Sequence, residues 1–169
     1  MEKILPVANS ISINLLEIIK MRTIRKAKPE DASSIIDFQE KMAWETEHIT
    51  LEKQVITDGV KAVFANPSLG QYWVSEKDGM VIASLLITYE WSDWRNSNIW
   101  WLQSVYVIPA FRRNGIFRSM YSHIKDEVNK QGAAGLRLYV EINNSGAHLA
   151  YESLGMKSEH YNMYEWMKD

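Results

Sequence analysis

Residues 103–121 read Gln103-Ser-Val-Tyr-Val-Ile-Pro-Ala-Phe-Arg-Arg-Asn-Gly-Ile-Phe-Arg-Ser-Met-Tyr121, and this stretch decides the fold class. The β-rich run up to Val107 predicts a strand, and Pro109 stops it. Ile116, Phe117, Met120, Ile124 and Val128 then recur at the spacing of one helix face. Between strand and helix lies a loop with Arg112, Arg113 and Gly115. A helix that starts near Gly115 offers free backbone N–H groups and the positive end of its dipole, and a glycine lets an anion approach the backbone closely. On spacing alone the segment reads equally as an ordinary strand–helix turn with solvated arginines. No Gly-Lys-Ser/Thr follows, so it is not a Walker-type loop, and the Rossmann glycine fingerprint is absent.

Working outward, the unit at 99–130 sits in an alternating pattern. Thr23 to Ala27 predicts a first strand. Pro29 suits a first helical position, with Ala32, Ile35, Ile36, Met42 and Ala43 at helical spacing behind it. Thr50 is expected to cap a second helix with Leu51, Val55, Ala62 and Val63 on one face, ended by Asn66-Pro67 and Gly70. Gln71 to Glu76 and Met80 to Glu90 flank Lys77-Asp78-Gly79, a hairpin signal. Asn96 to Asn98 form the next turn, leading into Ile99 to Val107. Gly132 and Gly135 close the third helix. Leu136 to Ile142, nearly continuous in apolar residues, is expected as a covered central strand. Ser145 to Leu154 predicts a short helix stopped by Gly155, and Asn162 to Met167 a final strand. The order β-α-α-β-β-β-α-β-α-β predicts one α/β domain, a mixed central sheet with helices on both faces, and a ligand near the carboxyl ends of its strands.

The composition narrows the chemistry. The chain has 169 residues, 46% of them hydrophobic and 24% charged, as for one globular domain with its own core. Its 19 Lys+Arg against 21 Asp+Glu leave a net charge of -2, too little basic field for general nucleic-acid binding. The absence of cysteine excludes disulfides, thiol nucleophiles and cysteine-held metals. The four histidines show no metal-ligand spacing, so no metal is expected. Seven Trp and eight Tyr suit a core and also the walls of an organic-ligand site. No apolar run reaches the ~20 residues of a membrane helix, and no membrane association is expected. Residues 1–20 read as an extension of uncertain role ahead of a domain spanning 21–169.

The motif at Arg112-Arg-Asn-Gly-Ile-Phe117 resembles the pyrophosphate loop of the GCN5-related N-acetyltransferases, Arg/Gln-x-x-Gly-x-Gly/Ala after a strand ending in Val-x-Pro. It matches at Arg112 and Gly115 and departs at Phe117, where the family prefers Gly or Ala. Downstream, Asn144-x-x-Ala147-x-x-x-Tyr151-Glu152-x-x-Gly155-Met156 is similar to the family's second signature, and Met21 to Asp31 to its opening strand and helix start. The resemblance covers roughly residues 21–167. It implies acetyl-CoA as cofactor and a cytoplasmic acetyltransferase acting on a small-molecule or peptide amine, with a homodimer as an open assembly state. It implies too that Val105, Tyr106 and Val107 offer backbone groups to the pantetheine arm and that Arg112, Arg113, Asn114, Gly115, Ile116, Phe117 and Arg118 hold the pyrophosphate. Asn144 would bond the pantetheine region, and Tyr151 would lie beside the sulfur as the proton donor to the departing thiolate.

The acceptor side is less determined. An amine nucleophile must lose a proton, for which a carboxylate is the natural receiver. The segments Thr88–Trp94 and Phe38–Glu47 loosely resemble the substrate side of diamine acetyltransferases, where acidic residues and tryptophans suit a cationic amine. That group's strand carboxylate is replaced here by Gln103, which cannot accept a proton. Glu90 is the first substitute, followed by Glu47 and Glu45. Trp91 would join them in binding the acceptor, as would Glu141 if it faces inward from its strand. Each of these carboxylates also reads as ordinary surface charge. A second class of function stays open on Phe117 and Gln103: a CoA-binding module that regulates a partner with little turnover.

Overall fold

Strand β1 (Arg22–Lys26) opens the fold in the computed structural model, which describes residues 22–158 and 161–168. A single 3₁₀ turn at Pro29–Asp31 leads into α1 (Ala32–Glu47), followed by α2 (Lys53–Ala65). Then come β2 (Gln71–Lys77), β3 (Met80–Ser92) and β4 (Ser97–Val107). Helix α3 (Ile116–Gln131), β5 (Gly135–Arg137) and α4 (Ser145–Glu152) complete it. The five strands lie in sequence order in one mixed sheet, antiparallel from β1 to β4 and parallel between β4 and β5. No helix among the described residues is long and apolar enough to cross a membrane. The extension at 1–20 lies outside the described residues.

The period of two in the strands sends alternate residues to opposite faces, and each face receives helices. Tyr72 and Val74 pack with Ile35 of α1 and Val60 of α2 on one side. Trp73 of β2, with Leu85 and Ile87 of β3, meets Ile116, Met120, Ile124 and Val128 of α3 on the other. The helices therefore cover both faces, as the sequence pattern predicts. The β2–β3 hairpin closes through Asp78 (φ 52) and Gly79 (φ 78) between paired Lys77 and Met80, the two left-handed residues that a tight hairpin turn requires.

Four expectations need correction. Leu136 to Ile142 is not a central strand: β5 stops at Arg137 and is the sheet's edge, while Tyr139 and Ile142 are exposed. An apolar run reports burial against something, and here Leu136 and Leu138 obtain it by packing on the α3 side of the core. Glu141 accordingly lies outside any strand and is exposed. Residues 162–167 form neither strand nor helix, and Met163, Tyr164, Trp166 and Met167 are exposed; β5, three residues long, gives them almost no ladder to join. Finally, α2 is capped by Glu52 instead of Thr50, leaving Leu51 ahead of the helix.

Candidate active site

The two strands that matter most part company. Strand β5 pairs with β4 only at Ile99–Trp101, while β4 continues to Val107. Among the described residues, no strand pairs with that side of β4 beyond Trp101. Its backbone groups there form a free edge, the kind to which an extended chain can add. A bulge re-aims the edge. Ser84 pairs with Tyr106 and Leu86 with Gln103, so Ser104 and Val105 together oppose Leu85, and Ser104 takes φ 49.

Beyond Val107, a 3₁₀ turn at Pro109–Phe111 and the loop Arg112–Asn114 lead to Gly115, the N-cap of α3 at φ 69 and ψ 13. Arg113 is also left-handed, with φ 63. A Cβ on Gly115 would meet nothing within 4 Å, so the glycine is required by its backbone angle and leaves open space above it. Among the described residues, the N–H groups of 113–118 donate to no acceptor, and the first helical bond there runs from Ser119 N to the Gly115 carbonyl at 3.0 Å. Six adjacent donors at a positive helix end make an anion site.

Opposite stands α4. Asn144 caps it, its Oδ1 accepting from Ala147 N at 3.1 Å, which leaves the Asn144 amide N–H₂ as a donor. Tyr151 lies in the last turn with its ring against Phe117, centroids 5.5 Å apart and planes at 76°. Burial raises the Tyr151 phenol above its ordinary value. The departure at Phe117 thus resolves physically: the ring turns sideways onto Tyr151 and Tyr121.

These pieces enclose a cleft of about 650 Å³, within the range of small-ligand sites. It brings together Val105, Tyr106, Val107, Arg112, Arg113, Gly115, Ile116, Phe117, Arg118, Asn144 and Tyr151. Asn114 does not line the cleft; its side chain donates to the Phe111 and Arg112 carbonyls, and the Asn114 carbonyl accepts from Arg22 Nη1.

Among the described residues one carboxylate lines the cleft, that of Glu45 on α1. Tyr106 Oη donates to its Oε1 at 2.9 Å and Arg112 Nη2 to its Oε2 at 2.5 Å. Arg112 also lies over the Tyr106 ring at 5.2 Å and donates from Nε to the Val107 carbonyl at 2.8 Å. The other acidic candidates lie elsewhere. Glu47 is exposed at the end of α1 and does not line the cleft. Glu90 pairs with Ile99, six residues along β4 from Val105 and so roughly 20 Å away. Its carboxylate accepts from Trp101 Nε1 at 2.5 Å and Arg137 Nη1 at 2.8 Å, and the Trp101 bond, followed by Arg137, holds it below the usual carboxylate value. Trp91 is exposed beside it. Glu141 accepts from the backbone and side chain of Asn143. Gln103 is engaged with Thr88 Oγ1 at 2.7 Å. Met42 and Thr46 of α1 line the cleft as well. The sequence hints at them only through helical spacing, since Glu45 at i+3 from Met42 shares their face.

The model of the acetyltransferase (GNAT) family matches residues 29–156. A possible acetyltransferase from Clostridium difficile 630 is 43% identical in sequence, and the match covers 88% of this chain and 99% of that one with a TM-score of 0.83. A predicted acetyltransferase with acetyl-CoA from Clostridium acetobutylicum shares the fold at 19% identity and a TM-score of 0.67, over 88% of this chain and 95% of that one. The [ribosomal protein bS18]-alanine N-acetyltransferase of Escherichia coli K12 is 41% identical over 54 residues, 32% of this chain. That match spans 36% of the length of the relative.

Proposed function

Because the chain belongs to the acetyltransferase (GNAT) family, we propose that it transfers an acetyl group from acetyl-CoA to a primary amine. The observation that carries this reading is the meeting, in one cleft, of an amide-rich loop, a free strand edge and a proton-bearing phenol. The donor set fits acetyl-CoA in kind: six unpartnered N–H groups with three arginines for a diphosphate, an extended edge for a chain of amides, and open space above Gly115. When bound, acetyl-CoA supplies an acetyl group activated as a thioester.

The protein's own residues then divide the work. The amides of 113–118, with the Arg112, Arg113 and Arg118 side chains, hold the diphosphate. Backbone groups of Val105–Val107 and the free N–H₂ of Asn144 orient the arm. Tyr151, a phenol that is protonated at neutral pH by its ordinary value and that burial raises further, holds the proton that a departing thiolate needs. Glu45 receives the acceptor amine and accepts the proton that its nitrogen loses as the acetyl group is transferred. Each of its oxygens takes a single hydrogen bond within the chain and can accept a further donor. Glu90, Glu47, Trp91 and Glu141 are not proposed for that role. The alanine acceptor of the partly similar Escherichia coli enzyme supports an amine as the acceptor class.

The test is release of free thiol from acetyl-CoA against a panel of small amines and peptides with free N-termini, beside calorimetry with CoA. Turnover with at least one amine is expected. Tight CoA binding with no thiol release for any acceptor would favour the regulatory-module reading, and no binding at millimolar CoA would end both. Gly115→Asp should weaken CoA binding about 10-fold or more, since it sets a negative charge among the loop amides. Gly115→Ala is the control. Its Cβ meets no protein atom, so it should cost only about 1 kcal/mol of stability for a left-handed alanine, and because it enters the space above the loop without adding charge it should weaken CoA binding less than Gly115→Asp.

A further inference from the structure

Helix α4 and its N-cap carry two groups of the site, Asn144 and Tyr151, yet none of its residues is fully buried, Tyr151 being half-buried. A ring contact and a hydrogen bond join it and its C-cap Ser153 to the first turn of α3. One is the edge-to-face pair of Phe117 and Tyr151. The other is a hydrogen bond from Arg118 Nη2 to Ser153 Oγ, 3.2 Å long and exposed to solvent. They differ in how they respond to a ligand. Arg118 is an exposed cation beside the loop amides, so an anion seated on those amides competes with Ser153 for it. Phe117 has no charge to be drawn off, and its ring is braced from behind by Tyr121 at 6.2 Å. An anion on the loop amides therefore does not compete for its contact with Tyr151 as it does for Arg118.

We propose that Phe117 is the positioning residue for Tyr151, fixing the phenol ring over the cleft and docking α4 on α3. This rests on the reading of Tyr151 as proton donor given above. A ring at this place is not demanded by the loop, whose resemblance to the family calls for Gly or Ala here. It belongs to this chain's way of holding α4, beside a solvent-exposed hydrogen bond from Arg118 to Ser153.

The experiment compares Phe117→Ala, Phe117→Tyr, Tyr151→Phe and the double variant Phe117→Ala/Tyr151→Phe. Steady-state rates are measured together with hydrogen exchange of the α4 amides in the ligand-free chain. Phe117→Ala should lower kcat about 10- to 100-fold, the scale of an ångström-level misplacement, with KM for acetyl-CoA within about threefold. Phe117→Tyr, which keeps the ring, should recover most of the rate. The double variant should be no slower than Tyr151→Phe, and the α4 amides should exchange faster in Phe117→Ala. If Phe117→Ala does not fold, Phe117→Leu takes its place. Loss in Tyr151→Phe without loss in Phe117→Ala overturns this proposal alone, as do multiplying losses in the double variant or unchanged exchange. Full activity in Tyr151→Phe overturns the proton-donor reading and this proposal with it.

Discussion

The Tyr151 hydroxyl can be removed without disturbing the ring that meets Phe117, which makes it the sharpest single-residue probe of the site. Tyr151→Phe should keep CoA affinity and lose roughly 10–1000-fold in turnover, the lower end if water replaces the phenol. Thiol release at saturating acetyl-CoA reads this directly. Two carboxylates give an opposed pair. Glu45→Gln should slow acetylation most at low pH, where few amines are already deprotonated, and the defect should shrink as pH rises. Glu90→Gln should change turnover less than about threefold, because its carboxylate serves Trp101 and Arg137 at the start of β4. A pH-rate profile for both variants checks the assignment, and a large defect in Glu90→Gln alone would reverse it. The sequence makes the meeting of Gly115, Asn144 and Tyr151 at the cleft legible because each lies inside a short motif whose spacing is its geometry. Glu45 is not legible in this way. Its partners Tyr106 and Arg112 are 61 and 67 positions away, and nothing local distinguishes it from Glu47 or Glu90.

Elements read well where their ends carry chemistry of their own. The Asp78-Gly79 turn, Pro109 and Gly115 mark the ends of β2, β4 and α3 because backbone angles dictate the residue. The C-terminal third reads poorly. Apolar runs at 136–142 and 162–167 have the composition of strands, but a strand exists only against a partner, and pairing is a property of the folded sheet. The bulge in β4 is equally silent, since Ser104 is no glycine and yet takes φ 49. That residue offers a test at the scale of the strand. A left-handed serine costs about 1–2 kcal/mol, of which glycine would return part, offset by the ~0.4–1 kcal/mol that glycine adds to the freedom of the unfolded chain. Ser104→Gly should therefore be stabilising by a few tenths of a kcal/mol to about 1 kcal/mol. Ser104→Val, β-branched and worse suited to that angle, should destabilise by at least ~1 kcal/mol. Denaturant melts ranking Gly above Ser above Val support the bulge, and the reverse order would mean that Ser104 is ordinary extended strand.

At the scale of the molecule, the cleft is a seam between α1 on one face of the sheet and α3 on the other, so its shape depends on how α1 is hung from the sheet. Beside the apolar packing of Ile35 on Tyr72 and Val74, that attachment runs through a buried acid. Asp31, at the entry to α1, accepts two bonds from the Arg25 guanidinium of β1 at 2.7 and 3.0 Å and one from Lys28 N at 2.7 Å, while Arg25 also bonds Glu76 of β2. The Arg25 bonds, aided by the Lys28 amide against the cost of burial, hold the Asp31 carboxyl below its ordinary value. A depressed folded value means that the unfolded chain binds the proton more readily. The stabilisation is therefore present above the unfolded value, near 4, and is lost as pH falls through the lower folded one. Asp31→Asn should destabilise the protein at pH 7 by about 2–3 kcal/mol, below the ~3–5 kcal/mol of a fully orphaned buried pair because Glu76 still serves Arg25. Melts from pH 7 down to pH 2 should show the two proteins converging below about pH 4. A gap that stays constant through the acid range would assign the stabilisation to the shape of the turn instead of to the charge of Asp31.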